Sequence, residues 1–203
     1  MSRVAAMVLA AGRSRRMGAF KPLLPFGNQT VIESSIANLR AAGANQIIIV
    51  VGHRGDEIQE QLASTDVSFA INHNPDSPMA SSIALGMCQV SDGSEAVLIT
   101  PADHPAVPAQ TIKSIVKAWE GGAALVQPEY EGRGGHPVLV SRKYFEELRQ
   151  LDRTSGLRGF FSLHRGETSR LPVNSPFVAR DMDTWEDYLA LHQEAFGSPP
   201  RQS

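Results

Sequence analysis

The feature that most constrains the fold is an alternation of continuous apolar runs with amphipathic segments over about the first 127 residues. Runs such as VAAMVLA at 4–10 and IIIVV at 47–51 are typical of parallel strands buried on both faces. Between them, TVIESSIANLRAAG at 30–43 places apolar residues at helical spacing and ends at glycine. Repeated βαβ units of this kind predict a Rossmann-like α/β fold, in which an open, mostly parallel sheet has helices on both faces.

The last third of the chain is less regular. FVARDMD at 177–183 is typical of an edge strand, and TWEDYLALHQEAF at 184–196 is typical of a closing amphipathic helix. Neither a repeat nor a linker separates this part from the rest. We therefore expect a single domain over residues 1–197 with a small irregular C-terminal part, followed by a disordered tail at 198–203.

Charge is distributed unevenly along the chain, although the net charge is only −2. The first 32 residues carry a formal charge of +5, and the remaining 171 carry −7. A basic cluster in a nearly neutral chain favours a small anionic ligand over nucleic acid. The single cysteine, Cys88, excludes an internal disulfide and is typical of a cytoplasmic protein. No apolar segment reaches 18 residues, so we expect no membrane span.

The basic residues concentrate in the loop after the first strand, which reads LAAGRSRRMGAFKPLLP over 9–25. Ala10, Ala11 and Gly12 are small enough for a ligand to approach the backbone N–H groups closely. The arginines that follow and Lys21 add charge that suits phosphate groups. The loop is neither a P-loop nor a G-x-G-x-x-G motif. Composition alone leaves open a solvated basic loop without a ligand.

The order of residues from Leu9 to Lys21 resembles L-A-[AG]-G-x-S-x-R-M-G-x-x-K, the signature loop of the nucleotidyltransferases that serve the molybdenum cofactor. TPADHP at 100–105, GHPVL at 135–139 and DMDTWEDY at 181–188 are similar to later blocks of the same family. The resemblance implies an enzyme with an α/β fold of the nucleotide-diphospho-sugar transferase type.

Within this family, Ala10–Ala11–Gly12 and the TPAD block resemble the cytidylyltransferase branch, whereas the guanylyltransferase branch usually has Leu-Ala-Gly-Gly. The implied reaction transfers CMP from CTP to the phosphate of molybdopterin, releases pyrophosphate and forms the cytosine dinucleotide cofactor. The alternatives are a guanylyltransferase of the same pathway, another NTP transferase acting on a sugar or polyol phosphate, and a non-catalytic nucleotide-binding protein. The implied partners are CTP, molybdopterin and, transiently, a molybdoenzyme or cofactor chaperone, with the enzyme itself a monomer.

The resemblance also implies roles for individual residues. Lys21 would stabilise charge on the α-phosphate, Arg16 would bind the β- and γ-phosphates, and Asp103 completes the catalytic set. Ser82 starts a predicted helix, where related cytidylyltransferases place a serine against cytosine; N-capping by Ser81 or Ser82 is the alternative. The expected nucleotide-binding residues are Leu9, Ala10, Ala11, Gly12, Arg13, Gly18, Ser82 and Pro101.

A divalent metal is expected where Asp103 follows the apolar run AVLIT. A carboxylate at this edge suits Mg²⁺ or Mn²⁺, which favour oxygen ligands, and capping of the following helix is the alternative. The resemblance makes Asp183 the second ligand. Asp181 and Asp183 alternate along a predicted extended segment, so only one is expected to face the site, with Asp181 in reserve. A capping box from Asp183 to Glu186 is the alternative role.

The acceptor is assigned to two later segments. GRGGHP at 132–137 is interpreted as a pterin-binding loop that presents His136, or alternatively as a hairpin turn with exposed polar residues. TSGLRG at 154–159 resembles a family block that usually has an aspartate where this chain has Ser155. Arg158 therefore stays as the candidate for the pterin's phosphate.

Overall fold

The computed structural model describes residues 3–13, 17–74 and 76–200. Within these residues eight strands form one sheet, in the order β10-β7-β9-β6-β1-β4-β5, with β8 paired to β7. The strands of this sheet are β1 (Val4–Ala10), β4 (Gln46–Val51), β5 (Ser68–Ile71), β6 (Ala96–Pro101), β7 (Leu125–Tyr130), β8 (Arg133–Gly134), β9 (Val138–Ser141) and β10 (Thr168–Pro172). The short strands β2 (Pro25–Phe26) and β3 (Gln29–Thr30) form a separate antiparallel pair.

Most pairings in the sheet are parallel, as the alternation of strands and helices predicts. The central strand β1 is parallel to both β4 and β6, β4 is parallel to β5, and β7 is parallel to β10. Strand β9 runs antiparallel between β6 and β7. The predicted fold class, an open and mostly parallel α/β sheet, is therefore confirmed. Strand β9 lies between β6 and β7, so these two strands, which are consecutive parts of the βα pattern, are not neighbours in the sheet.

Helices cover both faces of the sheet. Side chains of α1, α2 and α4 pack on one face, and those of α3, α5 and α6 pack on the other. The helices are α1 (Val31–Ala41), α2 (Gly55–Gln61), α3 (Met79–Met87), α4 (Ala109–Glu120), α5 (Phe145–Arg149), α6 (Gly156–Leu163) and α7 (Trp185–Phe196). Among the described residues, none of the helices combines the length and hydropathy needed to cross a bilayer.

Strand β1 is the centre of the core, because all seven of its residues are buried. Val4, Ala6 and Val8 contact the layer of α1 and α4, whereas Met7 and Leu9 contact the layer of α3. This explains the continuous apolar run: both faces of a central strand are covered, so neither tolerates polar side chains. The site residues that follow β1 are thus held by the most buried strand of the molecule.

Helix α7 packs on a third, smaller cluster beside the β2–β3 pair, where Met182, Tyr188 and Leu191 contact Phe26. His192 of α7 is buried and ties this region together. Its Nε2 accepts the backbone N–H of Gly27 at 3.2 Å, and its Nδ1 lies 2.6 Å from the carbonyl oxygen of Ser198. The sequence shows no metal-ligand spacing around His192 and so predicts an ordinary surface or loop residue, and this prediction is wrong.

Two local predictions are also wrong. The segment 177–183 is not an edge strand, because Pro176–Ala179 forms a 3-10 helix and residues 180–183 are irregular. Its backbone bonds to the β8–β9 loop instead, as Val178 accepts the N–H of His136 at 2.8 Å. Helix α3 starts earlier than expected, after Pro78, so neither Ser81 nor Ser82 is its N-cap.

Candidate active site

A cleft of about 250 Å³ lies where the carboxyl ends of β1, β5 and β6 meet. This is the edge at which open α/β sheets bind ligands, because the connecting loops converge there. Its lining residues are Leu9, Ala10, Ala11, Gly12, Lys21, Pro22, Asn72, Ser77, Met79, Ser82, Pro101, Ala102 and Asp103. The structure thus brings together most of the nucleotide-binding residues expected from the sequence, although they come from three separate segments.

Lys21 joins the loop after β1 to both candidate metal ligands. Its Nζ lies 2.8 Å from Oδ1 of Asp183 and 3.5 Å from Oδ2 of Asp103. The Lys21 side chain is only 12% exposed and the two carboxylates are 24% exposed, so water screens this cluster weakly. Two residues 80 positions apart in the sequence therefore present carboxylate oxygens to one cationic centre.

The helix-capping alternatives for these aspartates are wrong. Helix α4 has Pro108 as its N-cap, with no side-chain cap, so Asp103 does not cap it. Helix α7 has its own capping box between Thr184 and Asp187, and the Asp183 carboxylate instead accepts a hydrogen bond from Lys21.

Asp181 shares the electrostatic surroundings of the same cluster. Burial, followed by repulsion from Asp183 and Asp103, raises the pKa of Asp181. The prediction that only one of Asp181 and Asp183 would face the site assumed a regular strand, and residues 180–183 do not form one. An irregular backbone does not alternate its side chains strictly, so both carboxylates influence the site.

The sequence shows no metal-ligand spacing around His104 and so predicts an ordinary surface or loop residue, but the structure places it beside this cluster. Its side chain is 8% exposed, and its Nε2 lies 3.9 Å from Oδ1 of Asp103. Its Nδ1 is buried without a hydrogen-bond partner among the described residues. The imidazole ring also stands 5.2 Å from that of His136, centroid to centroid. The only available signal for His104 was its position directly after Asp103.

The remaining residues of the signature loop lie differently from expectation. Arg13 does not line the cleft; its guanidinium pairs with Asp76 at 2.9 Å, which joins this loop to the loop after β5. In this structure the Arg13 guanidinium is thus paired with a carboxylate and is not among the residues that line the cleft. Gly18 is also absent from the described lining of the cleft. Arg16 lies outside the described residues.

Asn72, which no motif singled out, connects the two serines of the cleft. Its Nδ2 donates to the Oγ of Ser77 at 2.9 Å and to that of Ser82 at 3.0 Å. Its Oδ1 accepts the backbone N–H of Asn74 at 3.0 Å. Sequence reasoning missed Asn72 because its partner Ser82 lies ten residues away and only the fold brings them together.

A larger cleft of about 770 Å³ is adjacent, and Met79 lines both. His136 and Arg158, the two candidates for the acceptor, both line this larger cleft. It also contains three arginines that sequence reasoning did not select, and none of its described lining residues is acidic. These arginines are Arg153, Arg165 and Arg170. The structure therefore brings His136 and Arg158 to one cleft, and their role towards the acceptor stays a prediction.

His136 follows a tight β7–β8 hairpin, in which Tyr130 pairs with Arg133, so the hairpin alternative describes the start of this segment correctly. His136 itself is half-buried and not exposed. Burial, followed by the neighbouring His104, lowers the pKa of His136 to about 4. The imidazole is therefore neutral near pH 7 and offers hydrogen bonds without charge.

A sequence model described as the MobA-like NTP transferase domain matches residues 6–169 of the chain. This span contains the signature loop, Asp103 and most of the sheet. The chain belongs to the MobA-like NTP transferase family. It is accordingly a nucleotidyltransferase, and its sheet is of the nucleotide-diphospho-sugar transferase type.

Individual members of this family are similar over nearly the whole chain. The molybdenum cofactor cytidylyltransferase of Escherichia coli K12 is 29% identical over 193 residues, which are 95% of this chain and 97% of that protein. The crystal structure of Rv0371c from Mycobacterium tuberculosis H37Rv has a TM-score of 0.83 at 27% identity, covering 95% of this chain and 98% of that one. A manganese complex of Rv0371c has a TM-score of 0.78 at 25% identity, with the same coverage.

The donor set of this MobA-like protein fits a divalent metal that is shared with a substrate. No group of three His, Cys, Asp or Glu side chains within the described part of the chain is arranged to hold a metal by itself. Asp103 and Asp183 nevertheless converge on one cation, the Lys21 ammonium. Mg²⁺ in phosphoryl-transfer enzymes is commonly held by one or two carboxylates plus substrate phosphates, which is the arrangement two converging aspartates allow.

Proposed function

We propose that this protein transfers CMP from CTP to the phosphate of molybdopterin, releasing pyrophosphate and forming the cytosine dinucleotide cofactor. The observation that carries the proposal is the convergence of Lys21, Asp103 and Asp183 at the end of a cleft that opens onto an arginine-lined neighbour. One cleft suits a nucleoside triphosphate and the other an anionic acceptor. The similarity to the Escherichia coli cytidylyltransferase supports this choice of substrates.

The dimensions of the sheet edge suit an extended nucleotide. Asp103 follows β6, Gly12 follows β1, and Asn72 follows β5. Strands β6 and β5 are three strand spacings apart in the sheet, which is about 14 Å. The triphosphate would lie beside Gly12 and Lys21, and the base would lie towards Asn72 and the start of α3.

Binding of the triphosphate requires a change of partner for Lys21. The backbone at Ala10–Gly12 is open to the cleft and can donate N–H groups to phosphate oxygens. The Lys21 ammonium, now held between Asp103 and Asp183, would turn to the α-phosphate and stabilise the charge that develops during transfer. Arg16 remains a proposed ligand of the β- and γ-phosphates.

Asp103 and Asp183 would hold Mg²⁺ or Mn²⁺, which when bound neutralises phosphate charge and favours departure of pyrophosphate. The carboxylates orient the triphosphate so that its α-phosphorus faces the larger cleft. Since phosphoryl transfer depends on positioning and charge rather than on a protein nucleophile, these residues are sufficient for the chemistry.

The larger cleft would bind the acceptor. Arg153, Arg158 and Arg165 have no carboxylate at ion-pair distance within the described part of the chain, whereas Arg170 pairs with Glu129 at 2.7 Å. Unpaired guanidinium groups in a cleft without acids favour a dianionic phosphate. The neutral imidazole of His136 would hydrogen-bond the pterin ring, as its low pKa keeps it uncharged.

The test is incubation of the protein, Mg²⁺ and molybdopterin with CTP, GTP, UTP and ATP, each labelled at the α-phosphate. We expect incorporation from CTP and release of pyrophosphate. Lys21→Ala should lower the turnover rate by roughly 100-fold or more, since it removes charge stabilisation from the transition state. Incorporation from GTP in place of CTP would support the guanylyltransferase alternative, and no incorporation from any nucleotide would exclude the transferase reaction with molybdopterin.

A further inference from the structure

Asn72 is a buried amide in the lining of the smaller cleft, which we propose holds the nucleotide. It is only 4% exposed, and its side chain bonds to three partners. Because its Oδ1 accepts the N–H of Asn74, the orientation of the amide is determined, and both hydrogens of Nδ2 point to serines. A buried amide whose oxygen and nitrogen are both hydrogen-bonded is rigid. Its orientation therefore determines which of its partners accept a hydrogen bond and which donate one.

The consequence for Ser77 and Ser82 is that each Oγ acts as an acceptor towards Asn72. A serine hydroxyl has one hydrogen and two lone pairs, so each retains a hydrogen to donate. Neither hydroxyl has another acceptor for that hydrogen among residues 3–13, 17–74 and 76–200. Both Oγ atoms lie within 3.0 Å of Nδ2 of Asn72, and both serines line the cleft. Two hydroxyl donors therefore lie side by side at the end of the cleft where we propose the base binds.

We propose that Asn72 is a positioning residue for base specificity. It orients Ser77 and Ser82 so that both hydroxyls donate hydrogen bonds at this end of the cleft, and this arrangement selects cytosine over uracil. Cytosine carries two adjacent acceptors, N3 and O2, that match two donated hydrogens. Uracil carries an N–H at position 3, so the serine facing it would have to accept with its remaining lone pair and leave its own hydrogen without an acceptor. This inference rests on the proposed use of CTP and goes beyond it by naming the residue that discriminates between pyrimidines.

The sharpest variant is Asn72→Asp, which preserves shape but exchanges the amide donor for a carboxylate that only accepts. Ser77 and Ser82 would then donate to the carboxylate and turn their lone pairs to the base. We expect the ratio of kcat/KM for CTP to that for UTP to fall by about 10- to 100-fold, with part of the change a gain for UTP. A purely structural role would lower both values together, because the two nucleotides share the triphosphate.

The matched control is Asn74→Asp, which makes the same substitution two residues away at an exposed side chain outside the lining of the cleft. It should leave the CTP-to-UTP ratio unchanged. Ser82→Ala keeps the test valid if Asn72→Asp does not fold, since it removes one donor and should lower the ratio by about tenfold. Its control is Ser81→Ala, which alters a neighbouring serine that does not line the cleft.

The outcomes separate this inference from the proposed function. A wild-type protein that prefers CTP, together with lower ratios in Asn72→Asp and Ser82→Ala, supports both. A wild-type protein that prefers CTP, with ratios unchanged in these variants, overturns the role of Asn72 alone. A wild-type protein that uses UTP as well as CTP also overturns the role of Asn72. A wild-type protein that rejects CTP overturns both proposals.

Discussion

Gly12 illustrates how a single residue can be required by a ligand and not by the fold. Apart from its two chain neighbours, an added Cβ at Gly12 would meet no atom of the described residues within 4 Å, and its backbone does not adopt a positive φ. Glycine is therefore not needed there for packing or for conformation. The space that a side chain would fill is the cleft itself, directly beside the backbone N–H groups proposed to hold phosphate.

Gly12→Ala should therefore separate binding from stability. We expect kcat/KM for the nucleotide to fall by roughly 10- to 100-fold, because a methyl group displaces the phosphates from the backbone amides. The melting temperature should stay within about 1 °C of the wild type, since the methyl group meets no described residue beyond its chain neighbours. Steady-state kinetics and thermal denaturation measure the two quantities, and a lowered melting temperature with unchanged kinetics would contradict this assignment.

At the scale of elements, the loop between β8 and β9 is held by its contacts with the segment after β10. Gly135 donates to Pro128 at 2.8 Å, and His136 donates to Val178 at 2.8 Å. A Cβ at Gly135 would stand 2.2 Å from the carbonyl oxygen of Val178, which is backbone and cannot move aside easily. This close approach of two chain segments is what places His136 in the larger cleft.

Gly135→Ala should consequently destabilise the protein and displace His136. We expect a loss of about 3 kcal/mol in the free energy of unfolding, because overpacking against backbone forces both segments to shift. Urea denaturation measures it. Gly166→Ala is the control, since its added Cβ would meet no described residue within 4 Å beyond its chain neighbours and its φ is not positive. Equal stability of the two variants would show that the contact with Val178 is dispensable.

At the scale of the whole molecule, a polar network ties the two helices of one face to the edge of the sheet. His164, just after α6, lies 2.8 Å from Glu147 of α5 and 3.3 Å from Glu167, which precedes β10. Burial lowers the pKa of His164, but its hydrogen bonds with Glu147 and Glu167 outweigh burial and raise it. Hydrogen bonds from Tyr144, Lys143 and His164 lower the pKa of Glu167 to about 2.

Stability should therefore depend on the charge of His164. A histidine whose pKa is raised on folding contributes its stabilisation fully below its unfolded pKa of about 6.5, and loses it as the pH rises through the folded pKa. We expect His164→Gln to lower the melting temperature more at pH 5.5 than at pH 9. Thermal denaturation across this range measures the difference, and a constant difference would exclude a charged His164.

Much of the fold was predictable because β1, β4 and β6 are nearly continuous apolar runs. A strand that is covered on both faces needs apolar residues along its length, so its burial can be recognised from its own residues. The segment GHPVLVS at 135–141 is typical of a strand. The antiparallel position of β9 between β6 and β7 was not predictable, because a short segment carries little information about its pairing partners. Segment 177–183 was predicted incorrectly, because its backbone bonds are made to a distant loop.

The sequence by itself determined the chemistry of the first loop. Its small residues and cations lie close together in the chain, so the order from Leu9 to Lys21 was sufficient to propose a phosphate-binding loop there. Only the tertiary structure decided which carboxylates meet Lys21, that Arg13 pairs with Asp76, and that Asn72 orients two serines. The ion pairs join residues far apart in the chain, and the Asn72 contacts join a strand end to a loop and a helix. All of these distances depend on how strands, loops and helices pack, which local residue patterns do not encode.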